Sequence, residues 1–516
     1  MEELRYMSKA AQAAILLLAG VLLATVVLTG CGSSSSDEAT SATLTGPGYP
    51  GVDAANTRNP KSTINSSNIV NMSQVWTAPI TGVSNFGSYA ATPVIDSGVI
   101  YSQDLASNVQ ALNLQTGKVI WTASFEDPSY GPNGIVVADG RVYGGTETEA
   151  FALDQNTGQK IWSVPLVRNQ HEGVNMAPGY SEGMVFVSTS PVNAIESYEG
   201  GAVGILWALD AKTGKKLWHF DTVPTSLWGK LHVNSGGGLW YPPAFDKRGG
   251  MYFGVGNPSP YPGTAEEPFG SSRPGPNLYS DSLVKLDAKT GKLEWYHQVT
   301  PHDIYDWDFQ GPPILMEAGG KEIVVAAGKS GIVLAADPQS GRVLWETKVG
   351  KHNDHDEDGL LAMHGEGSKI NTPATIYPGT LGGVIAPMST DGKLVFVPVV
   401  NLPLELLSGS ELKEPGPVGG EVVALDPATG KPKWKATLAG PAFGATTAVN
   451  DLVFATTYEG AVSAFNAKTG KVVWQENLPA GTNSGVMANS DTLIAPAGVA
   501  AAEGQKAQII AYRVSE

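Results

Sequence analysis

The chain has a single cysteine, Cys31, in 516 residues. With no second thiol it can form no internal disulfide and no thiolate metal cluster. It also lacks the CxxCH motif that attaches a c-type haem. Charge is sparse as well: 16% of residues are charged, the formal net charge is −16, and no basic run stands out. That argues against nucleic acid as a partner, because neutralising phosphates needs clustered Lys and Arg. No Gly-rich phosphate loop or nicotinamide fingerprint occurs, since "GPGYPG" lacks a strand-to-helix setting. What is plentiful is Gly (62) and Pro (35), the residues of tight turns, which point to a β-rich protein. The length allows several average domains or one large repeat fold.

The N-terminus carries Arg5 and Lys9 and then the apolar run "AAILLLAGVLLATVVLTG", the layout of an export signal. Its end, Leu28-Thr29-Gly30-Cys31, resembles the lipobox of bacterial lipoproteins, in which the cysteine is lipidated and becomes the mature N-terminus. The other reading is an uncleaved transmembrane anchor. Either one places the bulk of the chain outside the cytoplasm, and lipid on Cys31 leaves no thiol for other chemistry. The expected organisation is a lipoprotein-type signal over 1–31, a flexible Ser-rich tether over 32–48, and one folded domain over 49–516.

That domain repeats itself. "ALNLQTGKVIW" ends at Trp121, and related segments end at Trp162, Trp218, Trp295, Trp345, Trp434 and Trp474. In each copy an Asp or Asn stands eight residues before the tryptophan and a Gly four before it. Such rigid spacing marks a repeat architecture. One copy reads as a β-hairpin: an apolar strand, an Asp/Asn whose side chain bonds turn amides, a Gly at positive φ, and a strand ending in Trp. Further β-branched runs, such as "DLVFATT", bring each unit to about four strands, the content of a propeller blade. Repeat glycines lie from 40 (Gly430 to Gly470) to 89 residues apart (Gly341 to Gly430), so the long gaps must hold insertions. The C-terminal "QIIAYRV" and the N-terminal "NMSQVWTAPI" would pair to complete an eighth unit and remove exposed sheet edges. The expected fold is all-β, an eight-bladed β-propeller closed by its N- and C-terminal strands. Trp207, Trp228, Trp240 and Trp307 fall outside the repeat.

The "ALDxxTGKxxW" hairpin resembles the tryptophan-docking motif of quinoprotein alcohol dehydrogenases, propellers that bind pyrroloquinoline quinone (PQQ) and a metal on the central axis. The opening "DAANTRNPKSTINSSNIVNMSQVWT" is also similar to that family's N-terminal segment. Non-enzymatic PQQ-like propellers, including outer-membrane assembly scaffolds, share the repeat, so by itself it speaks only to fold. The resemblance implies Glu199, eleven residues before Asp210, Asn257 in "GVGNPSP" and Asp306 in "HDIYD" as metal ligands. Their oxygens suit a hard cation. It also implies Trp240, after "GGG", stacked on the quinone, and Lys329 at the quinone oxygens, with Asp306 as general base.

The segment "TPHDIYDWDFQGPP", 300–313, crowds three aspartates into six positions. In an extended chain, residues two apart share a face, which would point Asp306 and Asp308 together. Asp308 is similar to the extra aspartate of lanthanide-dependent methanol dehydrogenases, and both calcium and a lanthanide remain open. Asp303 reads as a turn residue or as support for the ligands. "KHNDHDEDG", 351–359, reads as a solvated acidic loop, with a second metal site as the alternative.

The chain also departs from the family. The adjacent-cysteine disulfide cannot exist. Ala90 stands where a quinone-bonding Glu is expected, and Val384, Ile385 and Ala386 replace an Asn-Trp pair. The expectation is a membrane-tethered, extracytoplasmic quinoprotein that oxidises an alcohol with PQQ and a bound metal. Electrons would pass to a separate acceptor, a cytochrome c or a quinone. The alternative is a non-catalytic propeller that acts as an envelope scaffold or ligand-binding lipoprotein.

Overall fold

In the repeat hairpin, the Asp or Asn carboxyl or amide oxygen caps the turn. Asp210 Oδ1 accepts from Thr213 N at 2.8 Å and Thr213 Oγ1 at 2.6 Å, and Asp287 does the same for Thr290. The repeat glycine follows at positive φ, 68° at Gly117 and 74° at Gly214. Its missing side chain has a second use. A Cβ on Gly158 would lie 2.5 Å from the Trp121 ring, and one on Gly470 would lie 2.5 Å from Trp434. Each repeat glycine is therefore covered by the tryptophan of the unit before it, from Trp76 on Gly117 to Trp434 on Gly470. For six of these tryptophans the indole N–H donates to a carbonyl of that turn, as Trp121 does to Gln155 O at 3.0 Å and Trp434 to Ala467 O at 2.9 Å, while that of Trp218 has no partner. One spacing thus encodes both the turn and the joint to the next unit.

The computed structural model describes residues 47–192, 200–416 and 419–515. Glu199 and Cys31 lie outside them. Residues 46–516 form one compact unit. Among the described residues are eight four-stranded antiparallel sheets. Seven are each drawn from one stretch of chain, within residues 94–123, 136–165, 179–221, 244–298, 314–348, 389–438 and 447–477. The eighth joins Met487–Asn489, Thr492–Ala497 and Gln508–Val514 to the early strand Met72–Pro79. There Trp76 pairs with Ala511, and its indole N–H reaches Leu114 O in the first repeat.

Apolar clusters lie between neighbouring sheets. Val94 and Tyr101 meet Val137 and Phe151, Tyr252 meets Val324, and Phe454 meets Leu493. Another cluster packs Ile494 and Ile509 of the eighth sheet on Ile100 and Leu112 of the first. The architecture is all-β and propeller-like, with a separate core in each seam.

The N-terminal segment ties the sheets together at their first strands. Gly48 exchanges two backbone bonds with Val137, and Tyr49 Oη donates to Tyr180 O. The carbonyls of Ala54, Ala55, Thr57 and Arg58 then accept from Phe245, Leu315, Thr390 and Ala448 in turn, and Thr63 N donates to Ser490 O. Arg58 is buried and bonds Thr446 O, Pro50 O and Thr92 Oγ1. Burial pushes its guanidinium down to about 10. One strap of sixteen residues, 48 to 63, thus reaches all eight sheets and satisfies first-strand backbone groups that would otherwise lack partners.

The 89-residue gap holds the insertion that its length demands. It includes the helix Asp358–Met363 and a three-stranded sheet of Ala374–Ile376, Leu404–Ser408 and Glu411–Lys413. The acidic loop before the helix is knitted into ion pairs: His352 with Asp356 and His355 with Asp358. Among the described residues, no group of three or more His, Cys, Asp or Glu side chains is placed to hold a metal.

Arg58→Met removes the donor from three acceptors, Pro50 O in the strap and Thr446 O and Thr92 Oγ1 outside it. It is expected to destabilise the protein by at least about 3 kcal/mol in denaturant titration. Lys61→Ala, exposed in the same segment, should change stability by less than about 0.5 kcal/mol.

Candidate functional site

The segment around 303–309 is not extended. It contains no strand, and Asp306 sits at φ +61°, a conformation that L residues rarely adopt. Asp303 makes this turn. Its Oδ1 accepts Tyr305 N at 2.8 Å and its Oδ2 accepts Trp307 N at 2.6 Å, so the backbone is pinned on both sides of Asp306. The expected sharing of a face by Asp306 and Asp308 therefore has a different cause. A capped loop, not a pleated strand, brings the two carboxylates to one group.

That group is Lys329. Its Nζ lies 2.9 Å from Asp306 Oδ2 and 2.5 Å from Asp308 Oδ2, and all three residues are buried. The backbone closes the same loop, with Lys329 N donating to Asp308 O at 2.9 Å. The other oxygen of Asp308, Oδ1, accepts from Asn257 N at 2.8 Å and from Trp240 Nε1 at 3.2 Å. Gly256 makes room for this contact: a Cβ there would sit 2.9 Å from Asp308 Oδ1 and 3.3 Å from Trp240 Nε1. Five of the six cofactor and metal positions expected from sequence thus meet in one hydrogen-bonded cluster, with Asp308 at its centre. Glu199, the sixth, is outside the described residues.

The electrostatics follow from a count of charges: one ammonium faces two carboxylates. Burial opposes the charge on Lys329, but Asp306 and Asp308 outweigh it and hold its pKa above the ordinary lysine range. For Asp306 the balance runs the other way. Burial and the negative charge of Asp308 overcome the attraction of Lys329, so its carboxyl is pushed well above the usual carboxylate range. A second positive charge at this point would reverse that.

Sequence reasoning missed three groups beside the cluster. Asp281 is fully buried, with neither carboxyl oxygen hydrogen-bonded. Burial, then the charges of Asp303 and Asp308, raise its pKa well above normal, and Arg273 opposes them. Arg273 is itself fully buried and donates to Asp303 O at 2.7 Å and Pro260 O at 2.9 Å. Tyr305 Oη donates to Asp358 Oδ2 at 2.5 Å, across 53 residues of sequence. Asp281 and Arg273 have no motif around them, and although Tyr305 and Asp358 lie in two segments singled out above, nothing in either segment marks the bond between them.

The residues suit a cation. Asp306, Asp308 and the Asn257 side-chain amide offer the hard oxygen donors that calcium or a lanthanide takes. Asn257 Nδ2 is turned to Pro258 O at 3.1 Å, which separates the donor from the acceptor end of that amide. A planar carbonyl-bearing ring also finds suitable groups in the Trp240 indole and the Lys329 ammonium. Its acid substituents do not find the family's partners, because Ala90, Val384, Ile385 and Ala386 carry no side-chain donors.

The propeller-like sheets and the buried Asp-Lys-Asp cluster define a class of protein that comparison with known proteins makes specific. Residues 166–349 match the model of the glucose/ethanol/alcohol dehydrogenase β-propeller domain. Residues 382–516 match that of the outer membrane protein assembly factor BamB. The chain is 29% identical to the quinohemoprotein alcohol dehydrogenase of Comamonas testosteroni, over 86% of its own length and 71% of the relative's. It is 28% identical to the quinoprotein alcohol dehydrogenase PedH of Pseudomonas putida, over 84% and 81%. Among solved structures, a europium-containing methanol dehydrogenase shares the fold with a TM-score of 0.76 at 18% identity, covering 90% of this chain and 97% of that one. BamB from Moraxella catarrhalis shares it with a TM-score of 0.52 at 15% identity, covering 86% and 97%. Over most of its length the chain is thus similar to quinoprotein alcohol dehydrogenases, and residues 166–349 carry the propeller-domain match.

Replacing Lys329 by Met should cost about 3–5 kcal/mol at neutral pH, because two buried carboxylates lose their counter-charge. The folded pKa of Asp306 already lies above the unfolded value of 3.8, and loss of the ammonium that lowers it raises it further. The variant should therefore be most stable below that pH and lose stability as pH rises through the elevated folded value. Equal destabilisation at pH 4 and pH 8 would contradict this charge balance.

Proposed function

We propose that this chain is a quinoprotein dehydrogenase that oxidises an alcohol or related hydroxyl compound, with PQQ and a calcium or lanthanide ion beside Lys329. The observation that carries this reading is the convergence of Trp240, Asn257, Asp306, Asp308 and Lys329 on one buried cluster. The relatives' names support the reaction class.

Asn257, Asp306 and Asp308, joined by Glu199, would hold the cation. The added positive charge would offset the surplus carboxylate and keep Asp306 ionised at neutral pH. Asp306 then takes the proton of the substrate hydroxyl as general base. A bound quinone would supply the two-electron acceptor for the hydride from the carbon that bears this hydroxyl, leaving a carbonyl compound. Lys329 donates toward the acceptor's oxygens and holds Asp306 in line. Trp240, tied at its indole N–H to Asp308, offers a flat apolar face for the ring.

With no CxxCH motif in the chain, electrons pass on to a separate carrier, a cytochrome c or a quinone. We place the domain outside the cytoplasm, on a tether that runs from residue 32 up to the strap at Gly48 and that a lipid on Cys31 anchors to the membrane. We read the eight sheets as the blades of a wheel that the Met72–Pro79 strand closes against Gln508–Val514.

A second reading, an envelope scaffold without turnover, draws on the BamB-type match over 382–516 and on the apolar residues at 90 and 384–386. The two readings separate in one assay. Protein reconstituted with PQQ and calcium or lanthanum should reduce an artificial dye with an alcohol. Asp306→Asn should lower kcat by about 10²- to 10⁴-fold while remaining folded. An unmodified protein that reduces no dye across a broad alcohol panel leaves the scaffold standing. An Asp306→Asn variant as active as the parent removes Asp306 as base.

A further inference from the structure

The carboxylate read above as base and cation ligand sits on strained backbone, and strain of that kind persists only where the surroundings over-determine it. Asp303 supplies part of the constraint by binding the amides of Tyr305 and Trp307. The rest comes from the insertion. On one side of Asp306, Tyr305 Oη donates to Asp358 Oδ2 at 2.5 Å. On the other, Trp307 Nε1 donates to Pro378 O at 3.1 Å. Asp358 is buried at the start of its helix, and the same oxygen lies 2.7 Å from His355 Nδ1, so the imidazole fixes which way the carboxylate faces.

The packing agrees with these bonds. Ile304, Tyr305 and Trp307 form one apolar cluster with Ala362, Ile370, Ile376, Leu404 and Leu406, all from the excursions of the following sheet. The backbones also touch, since a Cβ on Gly359 would lie 2.3 Å from His302 O. The residues on either side of Asp306 thus turn into the insertion, and Asp306 itself turns to Lys329.

We propose that the insertion is a frame for Asp306: Asp358, oriented by His355, is a positioning residue that acts through Tyr305, and the Trp307–Pro378 bond is the second hold. This deepens the functional reading above and rests on it for the consequence for catalysis, though not for the geometry. The frame makes the direction of the Asp306 carboxylate depend on a segment that supplies no group to the cluster's hydrogen bonds with Asp308 or Lys329. Support of this kind behind a metal-ligating carboxylate changes affinity or activity by about 10- to 100-fold when removed.

The test uses the full chain with Tyr305→Phe, Asp358→Asn and the double variant. Crystal structures come first: in each variant Asp306 should leave the positive-φ region and its Oδ2 should move out of contact with Lys329 Nζ. Terbium titration, read by luminescence sensitised through tryptophan, should show affinity weakened about 10-fold or more. In reconstituted protein, kcat should fall by a similar factor with KM little changed. The double variant should be no worse than either single one, because both changes cut the same link. Glu357→Gln, on an exposed neighbour, should behave as the parent. If Asp306 keeps its conformation and its lysine contact in Tyr305→Phe and Asp358→Asn, the frame is wrong. If Asp306 moves but the parent protein binds no terbium, the frame stands and the cation reading of the site fails.

Discussion

The site is built around a charge deficit. One buried ammonium, Lys329, answers two buried carboxylates, Asp306 and Asp308. Removing three charges from water is costly, and that cost is offset by the pairing of opposite charges and by two further donors to Asp308. Asp308 uses its second oxygen on Asn257 N and Trp240 Nε1, and Asp306 is left with the shortfall. A group of this composition is poised to take one more positive charge. Much else in the molecule keeps it where it is: Gly256 leaves space for Asp308, Asp303 pins the loop, and the insertion holds Tyr305 and Trp307.

Such a site needs a rigid base, and the repeat supplies it. From Trp76 to Trp434 the tryptophans lie on the next repeat's glycine and so locate neighbouring sheets, and the N-terminal strap adds a second set of bonds at the first strands. The cluster draws its members from three consecutive parts of this framework. Trp240 precedes the fourth sheet, Asn257 follows that sheet's second strand, and Asp306, Asp308 and Lys329 belong to loops around the fifth. A small shift between those sheets would pull Asp308 from one of its partners.

The repeat was legible because its information is local. Asp or Asn, Gly and Trp at fixed spacing each have one physical task, and the structure uses all three. The pairing of Met72–Pro79 with Gln508–Val514 was legible for the opposite reason, as two half-units in need of partners. Asp306, Asp308, Asn257, Trp240 and Lys329 were reached through family resemblance and not through local pattern. The local argument for the two aspartates, side-by-side positions on an extended strand, fails because Asp303 folds the segment into a turn. Asp281 and Arg273 were invisible because a buried acid or base inside an ordinary strand-loop sequence has no signature. The Tyr305–Asp358 bond and the strap were invisible because both depend on contacts between distant segments. Glu199 and Cys31 rest on sequence alone.

The central claim is that the Asp306–Lys329–Asp308 cluster takes up a cation and, with it, the quinone. The most direct measurement is equilibrium binding of PQQ to purified protein, followed by quenching of tryptophan fluorescence, with calcium or lanthanum present and then removed by chelator. The account predicts saturable one-to-one uptake that requires the cation and is lost on chelation. Absence of uptake at every cation concentration, or uptake indifferent to the chelator, would contradict it.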